Sequence, residues 1–493
     1  MPKLAKAVYD PNDQKSWMET AKLGDDERVA REKVIDEAWA YFYGNHRLPL
    51  KTPPTGPNYN VILNFCGQAL DALVAFLGTP DLQVEGGVAR EPNADGLLTT
   101  LKTPQQVALE ALWEANELEL LIVDLLLSGM VSGHTFLKLI PQIDIDGAII
   151  GVRIELLDPR HVTVYWSSHR QVLFYRLKWQ VDADETRTQD IVPAWLLTPS
   201  ATDDPAPDAD APTTAPTGWR ILEWSQKSSR EKVLVGDDVW AYPFPPVTDW
   251  KNAPKPFDYY GRSDLAPATL RKNDAANLVA SDTQKIIFHH AGPTTIVTGG
   301  RLPDDWESAP DRAIDDLPAD AKVYNLEMAG DLSSSMNFLN VLRGAFFEGV
   351  KVVDRASIKD KLGDLTNFAV RMLYGSQQDS AAQKHTLYGR GLALASERAL
   401  IVSGVSGEAS PDVKVLCKWA DLLPQDRAEI VRAVAIEDDM GFVSEQTMTE
   451  ELGHDPVIEA EQRAEEGERA QTSVAEALVR IGGRGGLNGG RRG

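Results

Sequence analysis

The sequence predicts a mixed α+β chain, mainly α-helical, and three observations predict it. Two stretches of helical spacing, 263–290 and 333–362, bracket about forty residues of small β structure. A section from about 133 to 245 is rich in β-branched residues and turn signals. A C-terminal block, 419–470, punctuates three helices with prolines and glycines.

The chain has 493 residues, enough for two to four domains with sizeable cores. Hydrophobic residues make up 43% and charged residues 25%, the balance of a soluble globular protein. Lys+Arg is 50 against Asp+Glu 73, a net charge of −23. Binding nucleic acid by charge neutralisation needs clustered cations, so any such contact must be local, transient or weak. Cys66 and Cys417 lie far apart in apolar settings and read as free buried thiols, in keeping with a reducing cytoplasm. Polar residues follow Met1-Pro-Lys-Leu-Ala-Lys6, so no secretory leader is expected. The most apolar stretch, 118–131, is interrupted by Glu119 and Asp124 and reads as a core helix, too short to span a bilayer.

In chain order, a helix is expected over 25–43, ending at Gly44, and another from Asn60 to Leu77, stopped by Gly78 and Thr79-Pro80. Residues 104–130 read as helix. Asp146-Gly147 between two isoleucine-rich runs reads as a hairpin turn. Leu157-Asp158-Pro159-Arg160 turns into a strand, and 171–181 is a second. Residues 199–217 contain only Pro, Ala, Asp and Thr apart from Ser200, a flexible loop with nothing to pack. Strands resume at 219–224 and 233–240.

The helix at 263–290 would be about 40 Å long. Its apolar positions are sparse, so it should pack against neighbours on more than one side. Short strands follow at 293–298 and 322–326. The second long helix should begin near Ser333–Ser335, carry Leu339, Leu342, Phe346, Val350 and Val353 on one stripe, and run to about Leu362. Residues 363–387 are polar and interrupted by Gly363 and Gly375, which reads as a loop. Helix resumes at Gly389 and breaks at Ser403-Gly404. In the C-terminal block Pro424 suits a first turn, Ser444 and Asp455 are natural caps, and Gly441 and Gly453 are stops. The end, 481–493, is Gly/Arg-rich and reads as a flexible, solvated tail.

No motif carries chemistry. A G-x-x-x-x-G-K-[ST] loop, Gly-x-Ser-x-Gly and His-Glu-x-x-His are all absent. His289-His290 lacks two further ligands for a metal. The pairs Asp304-Asp305, Asp315-Asp316 and Asp438-Asp439 read as solvated surface. No catalytic residue, metal or cofactor is expected.

The order of elements is more specific than any motif. It runs from Tyr43-Gly44-Asn45-His46-Arg47-Leu48-Pro49 and Asn60–Asn64, through a mixed sheet with Leu157-Asp158-Pro159-Arg160, to Gly261-Arg262-Ser263-Asp264-Leu265. There it enters a long helix, then a β insert, a second long helix, a polar loop, a helix and the C-terminal block. Over about 25–470 this resembles the portal, or head-to-tail connector, protein of tailed double-stranded DNA bacteriophages. The resemblance implies a ring, usually a dodecamer, at one capsid vertex of the virion, assembled in the host cytoplasm. Genomic DNA would pass through its channel during packaging and ejection. It implies a wing (1–260), stem helix 1 (261–290), clip (291–332), stem helix 2 (333–362), tunnel loop (363–387), C-terminal helices and crown (388–470) and a tail (471–493). Implied partners are further copies of the chain, DNA bound without sequence specificity, the large terminase, capsid and scaffolding proteins, and a head-completion or tail adaptor, with no membrane. Under it Lys351, Arg355, Lys359 and Lys361 on the second helix, and Gln377, Gln378 and Lys384 in the loop, are the DNA-channel candidates. Two other readings compete. A metal-dependent DNA-processing enzyme would need spaced acids beside a basic surface, which the chain does not offer. A monomeric virion adaptor would leave the long helices uncovered.

Overall fold

The computed structural model describes residues 14–52, 54, 57–92, 98–166, 172–194, 218–227, 232–291, 294–299, 318, 320–326, 332–358, 367–404 and 413–422, with 431, 432, 434–437, 440, 447–449, 452 and 459. The chain divides into two compact units, Met1–Gly87 with Lys102–Ala420, and Val88–Leu101 with Asp421–Gly493. Helix makes up 47% beside fourteen strands among the described residues, so the chain is mixed α+β and less helical than expected.

In the first unit, α1 spans Gln14–Phe42, beginning well before the expected residue 25. α2 (Phe65–Leu77) starts at Asn64, whose side chain accepts from Gly67 N and donates to Phe42 O at 2.9 Å. The residues before it, expected to be helical, are in neither helix nor strand. β1 (Asp81–Val84) follows; β2 (Val88–Pro92) and β3 (Leu98–Lys102) pair in a two-stranded sheet of the second unit.

The helix expected over 104–130 is two, α3 (Pro104–Ala115) and α4 (Leu118–Ser132). Asn116 makes the break. Its amide donates to Leu112 O and Val152 O and accepts from Ile154 N at 2.7 Å, which turns the chain onto a strand. Glu117 then takes a left-handed φ of 49°.

β4 (His134–Ile143) and β5 (Ile149–Leu157) form the expected hairpin, with Gly147 at φ 81°. β6 (Val162–Trp166), β7 (Val172–Asp182), β8 (Glu185–Pro193), β9 (Trp219–Lys227), β10 (Val233–Trp240) and β11 (Val247–Lys251) complete two antiparallel sheets. Their orders are β10-β9-β8-β7-β6 and β11-β4-β5. One apolar cluster joins them: Phe136, Leu157 and Val247 from the small sheet, and Val162, Val164, Tyr175, Leu177 and Ile191 from the large one. Each such side chain contributes about 1.5–3 kcal/mol by leaving water.

α5 (Pro267–Ala291) runs into a two-stranded antiparallel ribbon, β12 (Thr294–Thr298) and β13 (Lys322–Leu326), as expected. Its sparse apolar pattern has a specific cause. Asn273, Asn277 and Ser281, four residues apart and fully buried, grip the segment 61–63. Leu63 N donates to Asn277 Oδ1 (2.8 Å), Val61 N to Ser281 Oγ (2.9 Å), and Asn273 Nδ2 to Leu63 O (2.9 Å). Groups two residues apart on this segment, at 61 and 63, thus meet groups four residues apart on the helix, at 281 and 277.

α6 (Ser333–Val350) packs along α5. It ends at Val350, twelve residues short of the expected Leu362, and starts after Leu332 with no side-chain cap. Lys351 takes a left-handed φ of 61°, with Val352 N donating to Phe347 O and Lys351 N to Glu348 O. This is a Schellman stop with lysine where glycine is usual. After α7 (Arg355–Ile358), α8 (Asn367–Val402) is one helix of 36 residues. The loop expected over 363–387 is therefore helical from Asn367 onward, and the helix expected from Gly389 is its continuation. Gly391 serves packing, because a Cβ there would lie 2.3 Å from the Trp250 ring. β14 (Val415–Lys418) closes the unit by pairing with β1.

In the second unit the described backbone is helical at 431–432, 434–437 and 447–449, with Val434 and Thr449 buried. The caps expected at Pro424, Ser444 and Asp455, the loop 199–217, the Gly/Arg tail, and the pairs Asp304-Asp305, Asp315-Asp316 and Asp438-Asp439 lie outside the described residues.

Candidate nucleic-acid interface

Lys351, Arg355 and Gln377 gather where α6, α7 and α8 meet, and this joint is rigidly tied. Arg343 makes a two-pronged pair with Asp354, Nε to Oδ2 at 2.7 Å and Nη2 to Oδ1 at 2.8 Å. Its guanidinium also lies over the Phe65 and Phe347 rings, 5.5 and 5.7 Å from their centres. Asp354 Oδ1 accepts from Ala356 N and so caps α7. Lys272 Nζ donates to Ala345 O, bracing α6 on α5.

Lys351 and Arg355 are exposed at this joint. Both ride on backbone fixed by the Arg343–Asp354 clamp and the Schellman stop. Lys359 and Lys361 lie outside the described residues. Gln377, expected to face a channel, is 4% exposed, and its Oε1 accepts from Val353 N at 2.8 Å. It buttresses the joint from within. Gln378, its neighbour on α8, is half-buried.

Lys384 is placed farthest from expectation. It is 3% exposed, with Nζ 2.7 Å from Asp264 Oδ2 and 2.6 Å from Asn252 Oδ1. Tyr388 donates to the same Asn252 oxygen at 2.9 Å. Asn252 Nδ2 donates to Arg262 O and Asp264 Oδ2, and Asp264 N donates to Met130 O. The lysine thus welds α8 to the entry of α5 and cannot meet DNA. Its partners lie more than a hundred residues away in sequence, which is why its polar surroundings read as a loop.

The densest titratable cluster also lies inside. Asp249 accepts from Tyr175 Oη (2.7 Å) and Tyr259 Oη (2.6 Å), and bonds His134 Nε2 at 2.7 Å. Gly261 N donates to His134 Nδ1, so the ring is neutral with its proton on Nε2. Burial holds the His134 pKa below the usual histidine value, outweighing the Asp249 carboxylate. Burial works to raise Asp249, but bonds from His134, Tyr259 and Tyr175 outweigh it and hold the carboxyl below its ordinary range. His134 is 3% exposed and Asp249 is saturated with donors, so the dyad joins β4, β11 and the α5 entry and presents no nucleophile or open base. Burial pushes the Cys66 and Cys417 thiols up to about 12, and both are free. Cys417 is only partly buried. Among the described residues, no group of three or more His, Cys, Asp or Glu could hold a metal ion, and no helix is long and apolar enough to cross a membrane.

The long helices also expose apolar side chains. Met336, Phe338 and Val341 lie outside on α6, and Leu278, Ile287 and Phe288 on α5. The sequence stripe identified the opposite face of α6 and left Met336, Phe338 and Val341 unread.

Residues 271–473, from α5 into the C-terminal block, match a family model described as phage portal protein, SPP1 Gp6-like. The resemblance to phage portal proteins drawn from the order of elements is thus met in the sequence itself. Among solved structures, the neck of a native GTA particle computed with C12 symmetry gives a TM-score of 0.44 at 13% identity, over 79% of this chain and 90% of that one. The neck of an empty GTA particle computed with C6 symmetry gives 0.47 at 12% identity, over the same shares. No curated protein matches the chain.

Proposed function

We propose that the protein is a phage portal: a ring of identical subunits, a dodecamer by family resemblance, forming the channel through which genomic DNA enters and leaves the capsid at one vertex. The observation that carries this is the portal family match over 271–473. In this reading the β-rich first part is the wing, α5 and α6 are the stem, and the β12–β13 ribbon is the clip that docks the terminase and later the adaptor. The joint after α6 replaces the expected polar loop as the place where cations meet the lumen. Lys351 and Arg355 there would touch phosphates without reading sequence. The net charge of −23 per chain supports a wall that DNA passes without sticking.

The stem assignment is supported by the apolar residues exposed on both long helices, which a lone chain leaves in water. A surface of this kind that meets a different surface on the next copy, and whose rotation closes, makes a ring. In this reading the motor's ATPase belongs to the terminase.

Native mass spectrometry of the purified protein, with negative-stain imaging of the same sample, tests the proposal. Masses near twelve chains, in particles with a central hole, are expected. A chain that stays monomeric across salt and concentration overturns the ring reading. Divalent-dependent cleavage of DNA by that monomer would establish the nuclease instead.

A further inference from the structure

Two features of the first unit have no partner among the described residues and complement one another. The first is the β4–β5 hairpin tip. Ile143, Ile149 and Ile150 are exposed there, and Ile145 is 104% exposed, as open as an isolated residue. The tip is nevertheless stiff. Asp144 Oδ1 accepts from Asp146 N (3.0 Å) and Ala148 N (2.9 Å), while Asp144 N donates to Ala148 O and Gly147 N to Asp144 O. A preorganised apolar knob of this kind loses little conformational freedom on docking. Its remaining charge is negative, from exposed Asp146.

The second is a groove of about 460 Å³ between α8 and β14, lined by Gly389, Arg390, Ala393, Leu394, Val415 and Leu416 among others. Leu394 and Leu416 on its walls are 38% and 43% exposed. Exposed Arg390 stands at its edge and makes no ion pair among the described residues. Glu397, the acid in the groove, is engaged by Val415 N at 3.0 Å. The groove therefore offers an apolar floor and a free cation to a knob that is apolar and acidic.

We propose that the isoleucine tip of one subunit seats in the α8–β14 groove of the next, Ile145 against Ala393, Leu394 and Leu416, and Asp146 toward Arg390. The occupant is a second copy of this chain, because knob and hole are both present on it and match in polarity and charge. Two unlike surfaces in contact make a heterologous interface, the kind that builds rings. The inference rests on the ring reading and adds to it a contact outside the long helices.

The test uses the full chain with Cys417→Ser, Ile145→Cys and Leu394→Cys, assembled and then oxidised. A ladder of covalently linked subunits on a non-reducing gel is expected, absent from either single-cysteine variant. Cys66 is fully buried and does not compete. Intact rings that give no ladder overturn the contact and leave the ring reading standing, and so does a cross-link confined to one chain. A wild-type chain that never assembles overturns both. Charge exchange supplies a second readout: Arg390→Glu should lower the assembled fraction, and Asp146→Arg on the same chain should restore it. Assembly indifferent to both changes overturns the pairing.

Discussion

Lys384 Nζ lies 2.7 Å from Asp264 Oδ2 and ties α8 to the entry of α5. Replacing it with methionine keeps the stem but leaves the Asp264 carboxylate, itself 17% exposed, without its cation. Breaking a buried pair this way costs about 3 kcal/mol or more. Lys384→Met should lower the denaturant midpoint of the first unit, and adding Asp264→Asn should recover most of the loss; equal midpoints for the single variant and wild type would refute the weld. Lys351 makes the opposite case. Its left-handed backbone disfavours any side chain, so Lys351→Gly should stabilise the chain by about 1 kcal/mol, read as a raised melting temperature. If the lysine is kept for its charge, the same variant packages less DNA. His134 sets a pH dependence. Its folded pKa lies below 6.5, so the unfolded chain binds the extra proton first. The stability it contributes is full above about pH 6.5 and falls as pH drops toward the folded value. Asp249 adds a loss at still lower pH, as its carboxyl protonates. Arg31 and Lys251 also bear on the ring and oppose its protonation. Melting temperatures from pH 7.5 to 5 should slope downward in wild type and flatten over the upper part of that range in His134→Gln.

Among the elements, α5 explains what its sequence only hinted at. Sparse apolar positions predict several neighbours; the structure shows a polar ladder gripping residues 61–63. Asn277→Leu would strand the Leu63 amide and remove a donor to His46 Nδ1, at a cost of about 1–3 kcal/mol. Hydrogen exchange should then speed at Leu63 while β4 and β7 stay protected; unchanged protection at Leu63 would show the ladder to be idle. The β4–β5 hairpin was legible because its signal is local: Asp146-Gly147 makes the turn. The ends of α6 and the unity of α8 were not. Glycine costs a helix about 1 kcal/mol, so Gly375 reads as an interruption and the run at Gly389 and Gly391 as a fresh helix start. Gly391 is there for Trp250 and Gly389 for the Trp419 and Cys417 side chains, neighbours that spacing cannot show. No neighbour lies against Gly375, and nothing in the structure explains it. β8 went unread because its polar residues pair within the sheet, Asp190 with Arg176 at 2.6 Å.

For the whole molecule, the candidate cations divided by accessibility. Lys351 and Arg355 are exposed and Lys384 is buried, a division that depends on helix rotation and long-range partners. The ring reading makes a demand on the outer faces of the stem helices. Phe338 is 53% exposed and Val341 64%, so neither supports the fold of one chain to any large degree. Placed between subunits, each would leave water on assembly and contribute on the order of 1 kcal/mol per contact, repeated at every interface around the ring. Aspartate at either position should cost the monomer little and would bury an unpaired charge in the assembled ring. Phe338→Asp and Val341→Asp should therefore keep the wild-type far-ultraviolet circular dichroism while shifting native mass from rings to single chains. Rings of unchanged mass from both variants would mean that the stem helices meet through other faces, and the exposed apolar residues would need a different partner.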